Sequence, residues 1–241
     1  MEEIKTEKFG SRISLLKPIL ESNNIEFITN LWVVTCRQAV NNDKNSRYLV
    51  IIENVFDLKY NQLLDKINRN IPIINVIFDE TEKKIKVYNF KTDKHVILNY
   101  KDFKESIIRL TKCRYIDSFA LGSKESTALS RFFREHMGKG FALTDIDFYL
   151  TKKKLFLEEK NFVRNNTGYI GVGQCISFKE IILDVFPDIE LSVVCISDNN
   201  YFTCDFKSID CSKSEIISGW GKMVPFKVNK ITLTNLLDLF N

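Results

Sequence analysis

Short apolar, β-branched runs separated by polar turns dominate the first half of the chain. The runs at 25–39 and 46–56 flank the turn-rich segment VNNDKN, and this arrangement predicts a β-hairpin. Three more runs are predicted as strands, at 71–79, 84–90 and 94–100. Helical spacing of apolar residues predicts short helices at 12–22, 61–69 and 100–112.

The second half begins again with a helical pattern and then returns to strands. A helix is predicted at 123–137, because Ser123 can cap it and Gly138 can end it. Two strands follow at 141–150 and 154–160, around a turn of lysines. The remaining predicted elements are a helix at 171–186, strands at 189–197 and 199–206, an edge strand with Pro225 at 222–228, and a helix at 232–240.

This order of elements predicts the α/β class in its α+β form, with two domains. Periodicity is weak near residues 113–121, so we place the domain boundary there. Residues 1–115 are expected to form a smaller α+β domain. Residues 116–241 are expected to form a domain with a mixed central sheet flanked by helices. A chain of 241 residues is long enough for two such domains.

Composition is that of a globular protein outside the membrane. Hydrophobic residues make up 44% of the chain and charged residues 27%, which is usual for ordered soluble domains. No apolar run reaches the roughly 18 residues that a membrane-spanning helix needs. The N-terminus, MEEIKTEKFG, is too polar for a secretory signal. We therefore expect a cytoplasmic location and no membrane association.

The six cysteines are scattered along the chain without a CxxC pair, and there are only two histidines. A structural zinc site is therefore not expected. Scattered cysteines in a chain without a signal fit a reducing cytosol. Cys36, Cys175 and Cys195 lie in apolar runs and are expected to pack as small hydrophobic residues.

The candidate chemistry lies in residues 144–161, TDIDFYLTKKKLFLEEKN, where acids interrupt apolar strands. If the lysines form the hairpin turn, Asp147 lies opposite Glu158 and Asp145 lies opposite Lys160. Side chains alternate across a strand, so these four residues would share one face while Glu159 points to the other. Two opposed carboxylates repel unless a positive charge lies between them, and Mg²⁺ suits that position. An ordinary solvated hairpin of mixed charge is the competing interpretation.

The segment DIDFYLTKKKLFLEEK resembles the motif of the PD-(D/E)XK nuclease superfamily, which includes Holliday-junction resolvases and many restriction enzymes. Members often carry a glutamate on the first helix, matched here by Glu125, and a glutamine on the helix after the lysine, matched by Gln174. The resemblance covers about residues 122–206. The proline of the motif is absent, and Asp145 and Asp147 compete for the metal position.

The resemblance implies a restriction-endonuclease-like fold for residues 116–241 and a Mg²⁺- or Mn²⁺-dependent endonuclease that cuts DNA. Metal ligands would come from Asp145, Asp147, Glu158 and Glu125. Lys160 would position the attacking water, and Gln174 would steady the site. A homodimer is expected because one site cuts one strand. The residues do not separate DNA from RNA.

Basic residues supply candidates for phosphate contacts. The net charge of +4 lies in residues 1–117, which permits nucleic-acid binding without establishing it. Arg131 and Arg134 lie on the predicted helix and Lys153 at the predicted turn. Solvated surface arginines are an equally good interpretation of the first two.

Two other functions stay open at this point. The first is a non-catalytic DNA- or partner-binding protein that keeps the nuclease fold but does not cleave phosphodiester bonds. Alternatively, the first domain would sense a ligand and regulate the nuclease, although it has no glycine-rich ligand loop. Metal-dependent cleavage separates the binding protein from the nuclease.

Overall fold

The computed structural model describes most of the chain and is mixed α+β, as the sequence predicts. The described residues are 14–36, 47–53, 60–67, 70–90, 92, 94–113, 127–138, 140–217, 219 and 221–241. The first part of the predicted helix at 123–137, with Glu125, lies outside these residues.

The elements up to residue 113 follow the predicted order closely. They are α1 Leu16–Ser22, β1 Phe27–Ile28, β2 Leu31–Cys36, β3 Tyr48–Glu53, α2 Tyr60–Leu64, β4 Ile73–Asp79, β5 Lys84–Asn89, β6 Lys94–Asn99 and α3 Tyr100–Thr111. Local chemistry explains where α3 begins. The side chain of Asn99 accepts a hydrogen bond from the Asp102 amide at 2.9 Å, which satisfies a free donor of the first turn.

The elements after residue 126 include all the predicted ones and several short strands that were not predicted. They are α4 Ala128–Phe132, β7 Phe141–Ile146, β8 Phe148–Leu150, β9 Leu155–Lys160, β10 Val163–Arg164, β11 Thr167–Gly171, α5 Val172–Asp184, β12 Glu190–Ser197, β13 Asn200–Asp205, β14 Glu215–Ile217, β15 Gly221–Lys227, β16 Asn229–Ile231 and α6 Leu233–Phe240. A π-helical turn at Phe133–Met137 continues α4, and a 3₁₀ turn covers Phe206–Ser208.

The chain divides into two compact units, but not at the predicted boundary. The first unit comprises residues 1–25, 159–176 and 192–241, and the second comprises residues 26–158 and 177–191. The prediction of domains at 1–115 and 116–241 is wrong, because strand β2 pairs with β7 across it, from Leu31 with Ile146 to Cys36 with Phe141. A sheet that joins strands more than a hundred residues apart leaves no local signal in the sequence.

The second unit is built on the six-stranded sheet β6–β5–β4–β3–β2–β7. Its strands are antiparallel except for the parallel pair β3–β4, so the sheet is mixed. Alternate residues of the sheet face α3 and α4 and form one core. That core includes Val34, Leu49, Ile51, Ile74, Val76, Ile85 and Val87 from strands and Phe103, Ile107, Leu129 and Phe132 from helices.

The first unit contains the antiparallel strands β12–β13–β16 and the four-stranded antiparallel sheet β10–β11–β15–β14. Asn165 and Asn166, both with positive φ, form the two-residue turn between β10 and β11, as hairpins of this kind require. Strand β15 was predicted at an edge because of Pro225, yet it pairs on both sides. Its ladder with β14 ends at Met223, so Pro225 lies where only β11 is a partner.

The cysteines correct another prediction. Cys36 and Cys175 form disulfides with Cys113 and Cys211, each with Cα atoms 5.9 Å apart, whereas the predicted packing of Cys195 as a buried thiol is confirmed. Spacing along the chain could not show these pairs. Disulfides persist mainly in oxidising compartments. The cysteines therefore do not support the predicted cytoplasmic location, which stays a prediction. None of the helices in the described part of the chain has the length and apolar character that crossing a membrane requires.

Replacing both Cys36 and Cys113 with serine should lower the free energy of unfolding by about 4 kcal/mol, because the bond closes a long loop of the unfolded chain. The two residues are 77 positions apart. Urea unfolding without reductant measures the difference. With reductant, the double variant and the native chain should become nearly equal. Equal stability without reductant would show that the bond does not form.

Candidate active site

The central hairpin has the predicted register but is shorter than predicted. Strands β8 and β9 pair Phe148 with Leu157, Tyr149 with Phe156 and Leu150 with Leu155, around a turn at 151–154. The predicted strand 141–150 is interrupted at Asp147, which separates β7 from β8. Before that break the chain pairs with β2, and after it with β1 and β9. The order of apolar and polar residues in FALTDIDFYL does not indicate this break.

Asp147 and Glu158 lie at the level of the break. Extending the observed register by one residue beyond the pair of Phe148 and Leu157 places them opposite each other, as predicted. Glu158 is 1% exposed and Asp147 is half-buried. Carboxylates in such a setting need a compensating positive charge, so this pair is the best-placed oxygen donor set in the hairpin.

Asp145 does not have the predicted partner. It lies on β7, opposite Trp32 of β2, and its side chain is exposed. The predicted pairing of Asp145 with Lys160 is therefore wrong, because the chain turns away from the hairpin at Asp147. Of the two competing aspartates, Asp147 is the one adjacent to the β8–β9 ladder.

Lys160 ends strand β9, two residues after Glu158, so the two side chains leave the same side of one strand. Its side chain is 9% exposed, and Nζ donates a hydrogen bond to Oε1 of Gln174 at 3.0 Å. Gln174 lies in the first turn of α5 and is half-buried. The structure thus brings together two residues that the sequence proposed for one site from positions 14 apart.

Glu159 lies between Glu158 and Lys160 in strand β9 and has a structural role. It is 5% exposed, and its carboxylate accepts hydrogen bonds from Ser14 Oγ at 2.6 Å and from the backbone amides of Leu15 at 2.7 Å and Leu16 at 3.3 Å. The negative charge thus meets the first turn of α1, where free amides favour it. The carboxylate fixes α1 to strand β9 and agrees with the expectation that Glu159 is not a metal ligand.

Glu159→Ala should lower the free energy of unfolding by about 2–3 kcal/mol, because Ser14 Oγ and the amides of Leu15 and Leu16 would lose an ionised acceptor. Thermal or urea unfolding measures the change. Glu215→Ala is the control, since Glu215 is exposed on a strand of the same unit and its loss should cost about 0.5 kcal/mol or less. Equal losses in the two variants would contradict an anchoring role for Glu159.

Glu53 is a third buried carboxylate, in addition to Glu158 and Glu159, and it was not predicted from the sequence. It ends the apolar strand β3, is 2% exposed, and accepts a hydrogen bond from the Leu129 amide at the start of α4 at 3.0 Å. Its Oε2 has no hydrogen-bond partner in the described structure. An acid that closes an apolar run, as Glu158 does, is the signal that could have found it.

The proposed phosphate-binding residues all lie in the second unit. Arg131 is paired with Glu80 at 2.5 Å, which neutralises its charge. Arg134 is exposed in the π-helical turn, and Lys153 is exposed in the hairpin turn. Of the three, Arg131 is the least suited to contact phosphate.

The donor chemistry near Glu158 fits a magnesium ion that is held by few protein ligands. In the residues that the structure describes, no group of three or more histidine, cysteine, aspartate or glutamate side chains is arranged to hold a metal ion. Mg²⁺ is commonly held by one or two carboxylates and completes its shell with water and substrate phosphate. Asp147 and Glu158 supply two carboxylates, which is the number that such a site uses.

Comparisons of the chain with protein-family models, curated proteins and solved structures gave no match.

Proposed function

We propose that the chain is a Mg²⁺- or Mn²⁺-dependent nuclease that hydrolyses phosphodiester bonds of DNA, with a restriction-endonuclease-like fold around β8, β9 and α5. The observation that carries the proposal is strand β9, where the buried Glu158 is followed two residues later by the buried Lys160, whose Nζ meets Gln174. Buried charged side chains at the end of an apolar strand are costly, and functional sites are one setting in which proteins keep them.

Asp147 and Glu158 would hold the metal ion. When bound, a divalent cation would make water more acidic and neutralise charge on the phosphate. Lys160 would orient the attacking water or bind a phosphate oxygen through its ammonium group. The hydrogen bond to Gln174 would restrict the directions in which the Nζ protons of Lys160 point. Glu159 would hold strand β9 in place through α1.

The test is cleavage of labelled single-stranded, duplex and branched DNA, and of RNA, with Mg²⁺, with Mn²⁺ and with EDTA. Metal-dependent cleavage of any of these substrates supports the proposal, and the substrate cut fastest identifies its class. Because one site cuts one strand, cutting both strands of a duplex would need a homodimer. Binding without cleavage under all conditions would refute the nuclease and favour the non-catalytic alternative.

A further inference from the structure

The four-stranded sheet β10–β11–β15–β14 of the first unit has one buried face and one open face. Side chains alternate between the two faces along β11 and β15. The residues on one face are buried, namely Gly168, Ile170, Val224 and Phe226. Packing on that side is tight, since a Cβ atom on Gly168 would lie 2.6 Å from the ring of Phe226. Residues on the other face of β11 and β15 are half-buried or exposed. These residues form the more exposed face of the sheet, here called the open face.

Two aromatic rings lie on the open face. Tyr169, on β11, is half-buried, and Phe162, just before β10, is 39% exposed. Their ring centroids are 5.9 Å apart with the planes inclined by 39°. Aromatic side chains on the exposed face of a sheet are groups on which planar bases stack.

Two cations lie beside the rings. Arg164 of β10 pairs in register with Thr167, and Thr167 pairs with Lys227 of β15, so the three residues form one row. Arg164 and Lys227 are both exposed, and no ion pair in the described part of the chain includes either. The acid of this face, Glu215, pairs with Met223, four residues along β15 from Lys227, or roughly 13 Å.

The open face continues toward the start of α5. Gly171 follows Tyr169 by two residues, and a Cβ atom there would have no atom within 4 Å. Gln174 comes three residues after Gly171, in the first turn of α5, and Lys160 comes two residues before Phe162. The rings thus lie close along the chain to the Lys160–Gln174 pair, within the same unit.

We propose that this face, formed by Phe162, Arg164, Tyr169 and Lys227 and here called the stacking face, binds a single strand of nucleic acid. Unpaired bases would stack on the two rings, and phosphates would meet the two cations. A duplex keeps its bases stacked inside, so it cannot use the rings. The link to cleavage rests on the proposed nuclease function, for which the stacking face would select substrates with an unpaired segment.

The experiment measures binding of fluorescent 12-nucleotide single-stranded DNA, single-stranded RNA and duplex DNA by anisotropy in EDTA, where no metal-dependent cleavage occurs. Tyr169→Ala should weaken single-strand binding by about 5- to 100-fold, the range expected for the loss of one stacked base. Arg164→Glu and Lys227→Glu should weaken it by about 10-fold and make it less dependent on salt. The DNA and RNA arms show which sugar is preferred.

Lys222→Glu is the matched control. Lys222 is exposed on the same strand as Lys227, but it is five residues away and therefore on the opposite face of the sheet. Reversing its charge should change binding about twofold at most. The exposed charge variants keep the test valid if Tyr169→Ala fails to fold. The proposal is overturned if single strands bind no better than duplex, or if Lys222→Glu and Lys227→Glu weaken binding equally. Binding at the stacking face without cleavage in Mg²⁺ or Mn²⁺ would refute the nuclease alone.

Discussion

Lys160→Ala should slow metal-dependent cleavage by at least about 100-fold, while the fold and DNA affinity stay close to those of the native chain. Lys160 is almost fully buried, and its ammonium group is fixed by Gln174. A cation held at this point acts mainly on charge that develops in the transition state, so its loss should appear in kcat. DNA affinity is spread over many phosphate contacts, and the loss of one should weaken it only modestly.

Single-turnover cleavage with Mg²⁺ and anisotropy with EDTA measure the two effects of Lys160→Ala separately. Lys153→Ala is the control, because Lys153 is exposed in the hairpin turn and should cleave at nearly the native rate. Lys160→Met keeps most of the buried side-chain volume and shows whether charge or packing is responsible. Equal cleavage by Lys160→Ala and Lys153→Ala would remove Lys160 from the mechanism, and with it most of the case for the nuclease.

Secondary structure was predictable where local signals are strong. Strands β4, β5 and β6 are short apolar or alternating runs between polar turns, and α3 begins after a residue that caps it, Asn99. The register of β8 with β9 followed from the lysine turn alone. In these cases the sequence within ten or so residues determines the geometry, so a pattern is sufficient.

Long-range pairing was not predictable in the same way. The domain boundary failed because β2 and β7 are neighbours in one sheet although the chain between them is long. The disulfide of Cys36 and Cys113 was missed for the same reason, since it joins the end of β2 to a residue two positions after α3. Loop closure over such distances depends on packing of the whole sheet, which a single sequence does not display.

The candidate site shows both situations. Lys160 and Gln174 were assigned to one site because a lysine at the end of an apolar strand and a glutamine near the start of the next helix are visible in the sequence, and a hydrogen bond joins them in the structure. Glu53 and Glu159 were not recognised as buried anchors, since their partners, Leu129 and Ser14, lie far along the chain. The choice between Asp145 and Asp147 depended on the break between β7 and β8.

The choice of Asp147 over Asp145 as the proposed metal ligand leads to the second prediction of a large loss of cleavage. Asp147→Asn should abolish metal-dependent cleavage, with a loss of at least about 100-fold, because the amide keeps the shape of the side chain but removes the negative charge that holds the cation. Mn²⁺ titration by calorimetry should show weaker metal binding in the same variant, independently of activity. Glu158→Gln should behave in the same way, since Glu158 is the buried partner of Asp147 in the extended register.

Asp145→Asn provides the matched control, because Asp145 is the same residue type two positions away, exposed on β7 and opposite Trp32. It should bind Mn²⁺ and cleave DNA at nearly the native level. If Asp145→Asn lost both properties and Asp147→Asn kept them, the metal position would belong to Asp145. If both variants and Glu158→Gln bound Mn²⁺ like the native chain, the carboxylates of the hairpin would not form a metal site, and a buried Glu158 would have to be explained by its contacts within the fold.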